Sequence, residues 1–135
     1  MSGRVVGTVE STLSLGLRMA YAACLLVATI THVVMHVRFG VLLERLPSEI
    51  YPIFSRLYWS SLTLLDPLSA LLLFLSPRWG VVAILGVIVS DVAHNTWLLY
   101  HIGGQPNFMY WCQVGFLVFV VATAKFIRPV RDVPC

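Results

Sequence analysis

Four long apolar runs constrain this chain more than any other feature of its sequence. A helix that crosses the hydrocarbon core of a bilayer needs about 20 mostly apolar residues. Four segments meet that need, at about residues 17–37, 57–75, 79–100 and 108–127, and helix-disfavouring proline or glycine lies in each connection between them. Membrane-spanning strands would instead show short segments of alternating hydrophobicity. The sequence predicts an all-α fold, with one polytopic integral membrane domain over residues 1–135 built as a four-transmembrane-helix bundle.

The composition excludes several other classes of protein. Apolar residues make up 59% of the chain and charged residues 11%, whereas a soluble domain is about half apolar and a quarter charged. Disorder requires low hydrophobicity and high charge, and a nucleic-acid module requires a basic stripe. We therefore expect the lipid bilayer as the partner and no nucleic acid.

The distribution of positive charge predicts the orientation of the bundle. An even number of spans places both termini on one side. Six cations lie on the side of the termini and three on the other; the six are Arg4, Arg18, Arg78, Lys125, Arg128 and Arg131, and the three are Arg38, Arg45 and Arg56. The positive-inside rule then predicts both termini in the cytoplasm, and we expect a plasma membrane location, in a bacterial cytoplasmic membrane.

The loop over residues 39–56 is the one long connection that the predicted spans leave. Its apolar residues Val41, Leu42, Leu43 and Leu46 surround two charged ones. This pattern is typical of a short amphipathic helix lying on the membrane surface. We expect such a helix on the outer side.

The cysteines give no sign of a disulfide. Cys24 lies in the inner half of the first span and Cys112 in the outer half of the fourth, about 12 Å apart in depth. Cys135 is the last residue, whereas a prenylation box requires cysteine fourth from the end. All three are expected to be free thiols.

Ionisable and amide side chains inside the spans are the strongest functional signal. A charge at the bilayer centre costs at least ~2.5 kcal/mol, so such residues face the bundle interior. The chain has only six carboxylates, yet two of them lie near mid-span. Six polar residues fall between the midplane and the outer interface: His32, Asp66, Asp91, His94, Asn95 and Gln113. We predict that they form a ligand-binding pocket in the outer half.

Helical spacing supports this convergence. Asp91, His94 and Asn95 stand at positions i, i+3 and i+4, and His32 and His36 at i and i+4, so each set shares one helix face. Pro67 follows Asp66 and cannot donate to the Thr63 carbonyl, which predicts a kink beside the carboxylate.

A purely structural role is the alternative to ligand binding for several of these polar residues. Asp66 and Gln113 also suit hydrogen bonds that hold helices together. His36 and His101 lie near span ends, where contact with water or headgroups is expected.

Metal and haem are minor alternatives, and no cofactor is favoured. His32, His36, His94 and Asp91 are ligand types that suit zinc or iron, but paired histidines are common on helices without metal. His32 and His94 lie at similar depths on different helices, as axial haem ligands would.

Two fragments resemble the EXPERA family, which includes sterol isomerases and a sterol- and drug-binding receptor. They are residues 46–52 with Thr31-His32 upstream, and Asp66-Pro67-Leu68; residues 90–95 are similar to that family's third-helix histidine region. In the family the Asp-Pro-Leu stretch precedes the second helix, whereas here it lies within a span. More broadly the chain resembles small bacterial four-helix membrane proteins. We transfer no function from either resemblance.

Three functional hypotheses follow. The leading one is a protein that binds or transfers a small amphipathic ligand, or a proton, in the outer pocket. The second is a membrane-embedded isomerase or cyclase, in which Asp91, His94 and Asp66 would be the catalytic acid and base groups beside aromatic walls such as Trp97 and Trp111. The third is an accessory subunit of a homo-oligomer or larger membrane complex, with its polar residues buried against each other or a partner.

Overall fold

The computed structural model describes the backbone of residues 2–127 and the side chains of residues 12–127. In chain order its elements are α1 (Ser2–Phe39), α2 (Ile53–Leu75), α3 (Pro77–Ile102) and α4 (Phe108–Thr123), followed by a 3₁₀ turn at Ala124–Phe126. Four segments are long and apolar enough to cross a membrane, at Thr12–Phe39, Ile53–Leu75, Pro77–Ile102 and Phe108–Phe126. The prediction of an all-helical protein with four such helices is confirmed.

Local chemistry explains where the helices begin and end. One residue, Ser76, joins α2 to α3, and Pro77 opens α3 because a first-turn proline needs no amide donor. Gly103 ends α3 in a left-handed conformation, with φ of 63°. The Asn107 side chain accepts a hydrogen bond from the Tyr110 amide at 3.0 Å and so caps the start of α4.

Residues 40–52 form turns, and the predicted surface helix within the 39–56 loop is wrong. Gly40 leaves α1 with φ of 91°, and Leu43 also has a positive φ of 54°. Leu43 is only 1% exposed and Leu46 is also buried. These side chains point into the bundle, and two sharply turned residues so close together prevent a continuous helix over this stretch.

We call the end of the bundle that carries residues 40–52 and 103–107 the outer end, and the end that carries Ser76 the inner end. Helix α1 packs along α2, α2 along α3, and α3 along α4. The hydrophobic core lies toward the inner end and consists of Leu17, Tyr21, Ala22, Leu25, Ala70, Leu73, Ile84, Val120 and Ile127.

Tyr21 joins α1 to α4 at the inner end. Its hydroxyl pairs with Thr123 Oγ1 at 2.7 Å and donates to the Val120 carbonyl at 3.3 Å. Its ring makes edge contacts with Phe116 and Phe119, at centroid distances of 6.0 and 5.4 Å. The contact that closes the bundle therefore lies at one end.

The cysteine prediction is confirmed for the part of the chain that the structure describes, since Cys24 and Cys112 are free and exposed. Cys135, Arg128 and Arg131 lie outside the described residues, as does the side chain of Arg4.

Candidate functional site

A cleft of about 460 Å³ lies at the outer end, where α1 and α4 face each other above the Tyr21 contact. We call it the outer cleft. Its polar lining comes from all four helices: Thr31, His32, His36, Trp59, Asn95, Tyr110 and Gln113. Its apolar lining includes Met35, Leu43, Leu98, Leu99, Ile102 and Met109. Such a volume with a few polar groups among apolar walls is typical of small-molecule sites.

Asn95 is the hub of the hydrogen bonds at this site. Its amide nitrogen donates to Asp91 Oδ1 at 2.9 Å and to Gln113 Oε1 at 3.1 Å. Its amide oxygen accepts from Trp59 Nε1 at 3.2 Å. One α3 side chain therefore ties together α2, α3 and α4, and every hydrogen of its amide is used.

Asp66 lies behind the cleft wall. His32 Nε2 is 3.7 Å from Asp66 Oδ2, which joins α1 to α2 at the predicted depth. Asp66 is 2% exposed and Asp91 is 7% exposed. Both mid-span aspartates thus lie inside the bundle, and the cleft meets His32 and Asn95 in front of them.

His36 has protein partners on both ring nitrogens, in contrast to the predicted contact with water or headgroups. Nδ1 lies 3.3 Å from the Gly40 carbonyl and Nε2 lies 3.0 Å from Thr63 Oγ1. Because a carbonyl can only accept, Nδ1 carries a proton and donates to the Gly40 carbonyl. This histidine joins the end of α1 to α2. Helix α2 continues as a helix through Pro67.

The roof of the cleft is held by a turn in residues 40–46. The Leu42 amide donates to Glu44 Oε2 at 3.0 Å, and the Arg45 amide donates to the Phe39 carbonyl at 3.0 Å. Hydrogen bonds from its own amide and that of Leu42 lower the pKa of the exposed Glu44 carboxyl below its ordinary value. This turn places the Leu43 side chain in the cleft wall.

His94 lies apart from the outer cleft, in a cluster of aromatic rings. Ring centroids of Tyr58, Phe54, Trp59 and Trp97 are 4.5, 5.5, 5.7 and 6.0 Å from that of His94. Its Nε2 is buried and has no hydrogen-bond partner within the described residues. The structure therefore separates His94 from Asp91 and Asn95, its predicted companions on one helix face, and directs it toward α2. Beyond this cluster, exposed His101 stacks on Trp97 at 5.0 Å.

The structure thus brings His32, Asn95 and Gln113 to one cleft and places Asp66 and Asp91 directly behind it. The sequence interpretation missed Trp59 and Tyr110, because aromatic residues near span ends are also typical of the membrane interface. It also missed Leu43, whose position depends on the turn.

The predicted metal ligands do not converge. Across residues 12–127, no group of three histidine, cysteine, aspartate or glutamate side chains is arranged to hold a metal ion. His32 and His36 line the outer cleft, whereas His94 and Asp91 do not. The outer cleft also does not bring together His32 and His94, the predicted axial haem ligands, because His94 is not part of its lining.

The aromatic walls expected for an isomerase or cyclase are also not assembled at this cleft. Asp91, Trp97 and Trp111 are absent from its lining, and Trp111 is 59% exposed.

Comparison with known proteins gives no match: no family model, no curated protein and no solved structure matches the chain. The fragments that resemble the EXPERA family therefore stand without a family match, and the function has to be argued from the site.

Proposed function

We propose that this protein binds a small amphipathic molecule in the outer cleft, for retention or transfer within the membrane. The observation that carries the proposal is the cleft itself, in which side chains from four helices surround about 460 Å³. Polar groups of His32, Asn95 and Gln113 lie at its wall, and apolar side chains cover most of the remainder. A ligand with a polar head and an apolar body suits this division.

The position of the cleft supports entry from the bilayer. Helices α1 and α4 are joined at the inner end by Tyr21 and Thr123, and the cleft lies between the same two helices at the outer end. The cleft is bordered from above by two residues of the 40–52 loop, Leu43 and Tyr51, and by three residues of the second loop, Gly104, Gln105 and Asn107. A lipophilic ligand would pass between α1 and α4 from the apolar phase.

The proposal is tested by quenching of Trp59 fluorescence, because Trp59 lines the cleft. The protein carries Phe at Trp79, Trp97 and Trp111, so that Trp59 is the sole fluorophore, and is reconstituted in lipid nanodiscs. A brominated dodecanol is titrated as the probe. Binding in the cleft predicts saturable quenching, whereas a probe that only dissolves in lipid gives quenching that rises linearly with its concentration.

A matched pair of variants locates the binding. Leu99→Phe adds volume to the cleft wall, whereas Leu64→Phe adds it to a side chain that is 74% exposed on the surface of α2. We expect Leu99→Phe to abolish the saturable component and Leu64→Phe to retain it. Saturable quenching that both variants share, or that neither the parent nor the variants show, would contradict the proposal.

We also propose that both termini lie in the cytoplasm of a bacterial cell, with the outer end of the bundle facing away from it. The six-to-three distribution of cations supports this orientation. In a background with Ser at Cys24, Cys112 and Cys135, Ser48→Cys should react with an impermeant maleimide on intact cells. Ser76→Cys should react only after permeabilisation, and the reverse pattern would refute the orientation.

A further inference from the structure

We propose that the ligand of the outer cleft is an uncharged amphiphile whose head group accepts a hydrogen bond from the side-chain amide of Gln113. This inference rests on the proposed function and names the chemical class of the ligand. It follows from the charge of the cleft wall and from which donors the protein leaves unused.

The wall offers no partner to an anionic head group. None of the described residues that line the cleft is lysine or arginine. Asp66 lies 3.7 Å behind His32, and Asp91 lies 2.9 Å behind Asn95. An anion would therefore lose its water, gain no cation and approach two carboxyl groups, which is unfavourable at each step.

A cationic head group also lacks direct contact with a carboxylate. Asp66 and Asp91 are both buried, and neither lines the cleft. Asn95 occupies the approach to Asp91 with a hydrogen bond, and the His32 ring lies in front of Asp66. A buried cation that contacts no anion recovers only part of its desolvation cost.

Among the half-buried side chains of the wall, one amide donor makes no hydrogen bond within the described residues. Both amide hydrogens of Asn95 are taken, by Asp91 and by Gln113. The Thr31 hydroxyl donates to the Val27 carbonyl, and the Tyr110 hydroxyl pairs with Thr96. Gln113 accepts through its oxygen, and its amide nitrogen makes no hydrogen bond within the described residues. A hydroxyl or carbonyl head group would accept a hydrogen bond from the Gln113 amide without bringing a charge into the cleft.

The test compares three probes that share one brominated alkyl chain and differ only in the head group: an alcohol, a carboxylate and a primary amine. Each is titrated near neutral pH, where the last two are ionised, and quenching of Trp59 is corrected for partition into protein-free nanodiscs. We expect the alcohol to bind about ten-fold or more tightly than either ion, since about 1.4 kcal/mol of uncompensated charge desolvation already corresponds to ten-fold in affinity.

The three-probe titration distinguishes failure of the ligand class from failure of the proposed function. Tighter binding of the amine or the carboxylate overturns the uncharged class while the cleft remains a binding site. Quenching by none of the three probes overturns the proposed function itself.

A pair of methionine variants on α4 tests the donor. Gln113→Met removes the amide and keeps the side-chain length, and we expect alcohol affinity to fall about ten-fold, the equivalent of one hydrogen bond. Val118→Met places the same side chain on the exposed surface of α4, where Val118 is 62% exposed and does not line the cleft, and should leave affinity unchanged. Equal effects of the two variants, or no effect of Gln113→Met, would overturn the assignment of Gln113. The ranking of the three probes on the parent protein does not depend on either variant.

Discussion

Replacement of Asn95 by leucine gives the sharpest test of the hydrogen bonds behind the outer cleft. Leucine shares the branched shape of asparagine but is larger, so the change removes polarity without leaving a cavity. Two interhelical hydrogen bonds are lost, to Trp59 and to Gln113, together with the bond to Asp91 on the same helix. Asp91 is 7% exposed, so its carboxyl oxygen is left buried without that donor.

The expected loss of stability follows from these contacts. Interhelical hydrogen bonds in a membrane protein average about 0.6 kcal/mol each, so the two contribute about 1.2 kcal/mol. Leaving the buried Asp91 oxygen unsatisfied adds about 1–3 kcal/mol. We therefore expect Asn95→Leu to lower the free energy of unfolding by about 2–4 kcal/mol.

The measurement is reversible unfolding in bicelles by steric trapping, combined with a double-mutant cycle. Gln113→Leu alone should destabilise the protein, but should cost less when Asn95→Leu is already present, with a coupling of about 0.6 and at most about 1.7 kcal/mol. A loss below about 1 kcal/mol for Asn95→Leu, or strict additivity of the two changes, would refute the hub.

Four further substitutions test other parts of the fold by the same unfolding measurement. Gly80→Ala should destabilise strongly, because a Cβ there would lie 2.5 Å from the Leu73 backbone nitrogen. At Gly86 a Cβ meets nothing within 4 Å, so Gly86→Ala should be neutral or stabilising by up to ~1 kcal/mol. Equal effects of the two substitutions would contradict the α2–α3 contact. Tyr21→Phe should cost about 1 kcal/mol through the lost hydroxyl, and no change would show that this hydroxyl does not hold α1 to α4. Gly40→Ala should destabilise because its φ is 91° and a carboxylate occupies the space of the new Cβ, and a fully stable variant would mean that the 40–46 turn differs from the one described.

The sequence predicted the architecture because lipid imposes a simple rule on it. Every spanning backbone must satisfy its own hydrogen bonds, so length and hydrophobicity alone predict the number of helices. Length and hydrophobicity do not predict the conformation of residues 40–52, because a polar environment permits several turn geometries. Gly40 and Leu43 adopt left-handed conformations there. A run of apolar side chains there predicted a helix, whereas the chain turns and buries Leu43.

The sequence predicted the level of the site residues along their helices, but not the direction in which each side chain points. Counting residues along each span placed His32, Asn95 and Gln113 at one level, and these three line the outer cleft. Counting could not show that His94 would enter the ring cluster of Tyr58 and Trp59, because the rotation of a helix depends on its packing partners. Depth follows from a single helix, whereas convergence requires the arrangement of all four.

The central claim, that the outer cleft holds an uncharged amphiphile, is tested most directly by a crystal structure grown from lipid in the presence of the brominated alcohol. We predict an anomalous bromine peak between α1 and α4, with the alcohol oxygen within hydrogen-bond distance of the Gln113 amide nitrogen. A cleft closed by contact between His32 and Gln113, with bromine only on the lipid-facing surface, would contradict the account.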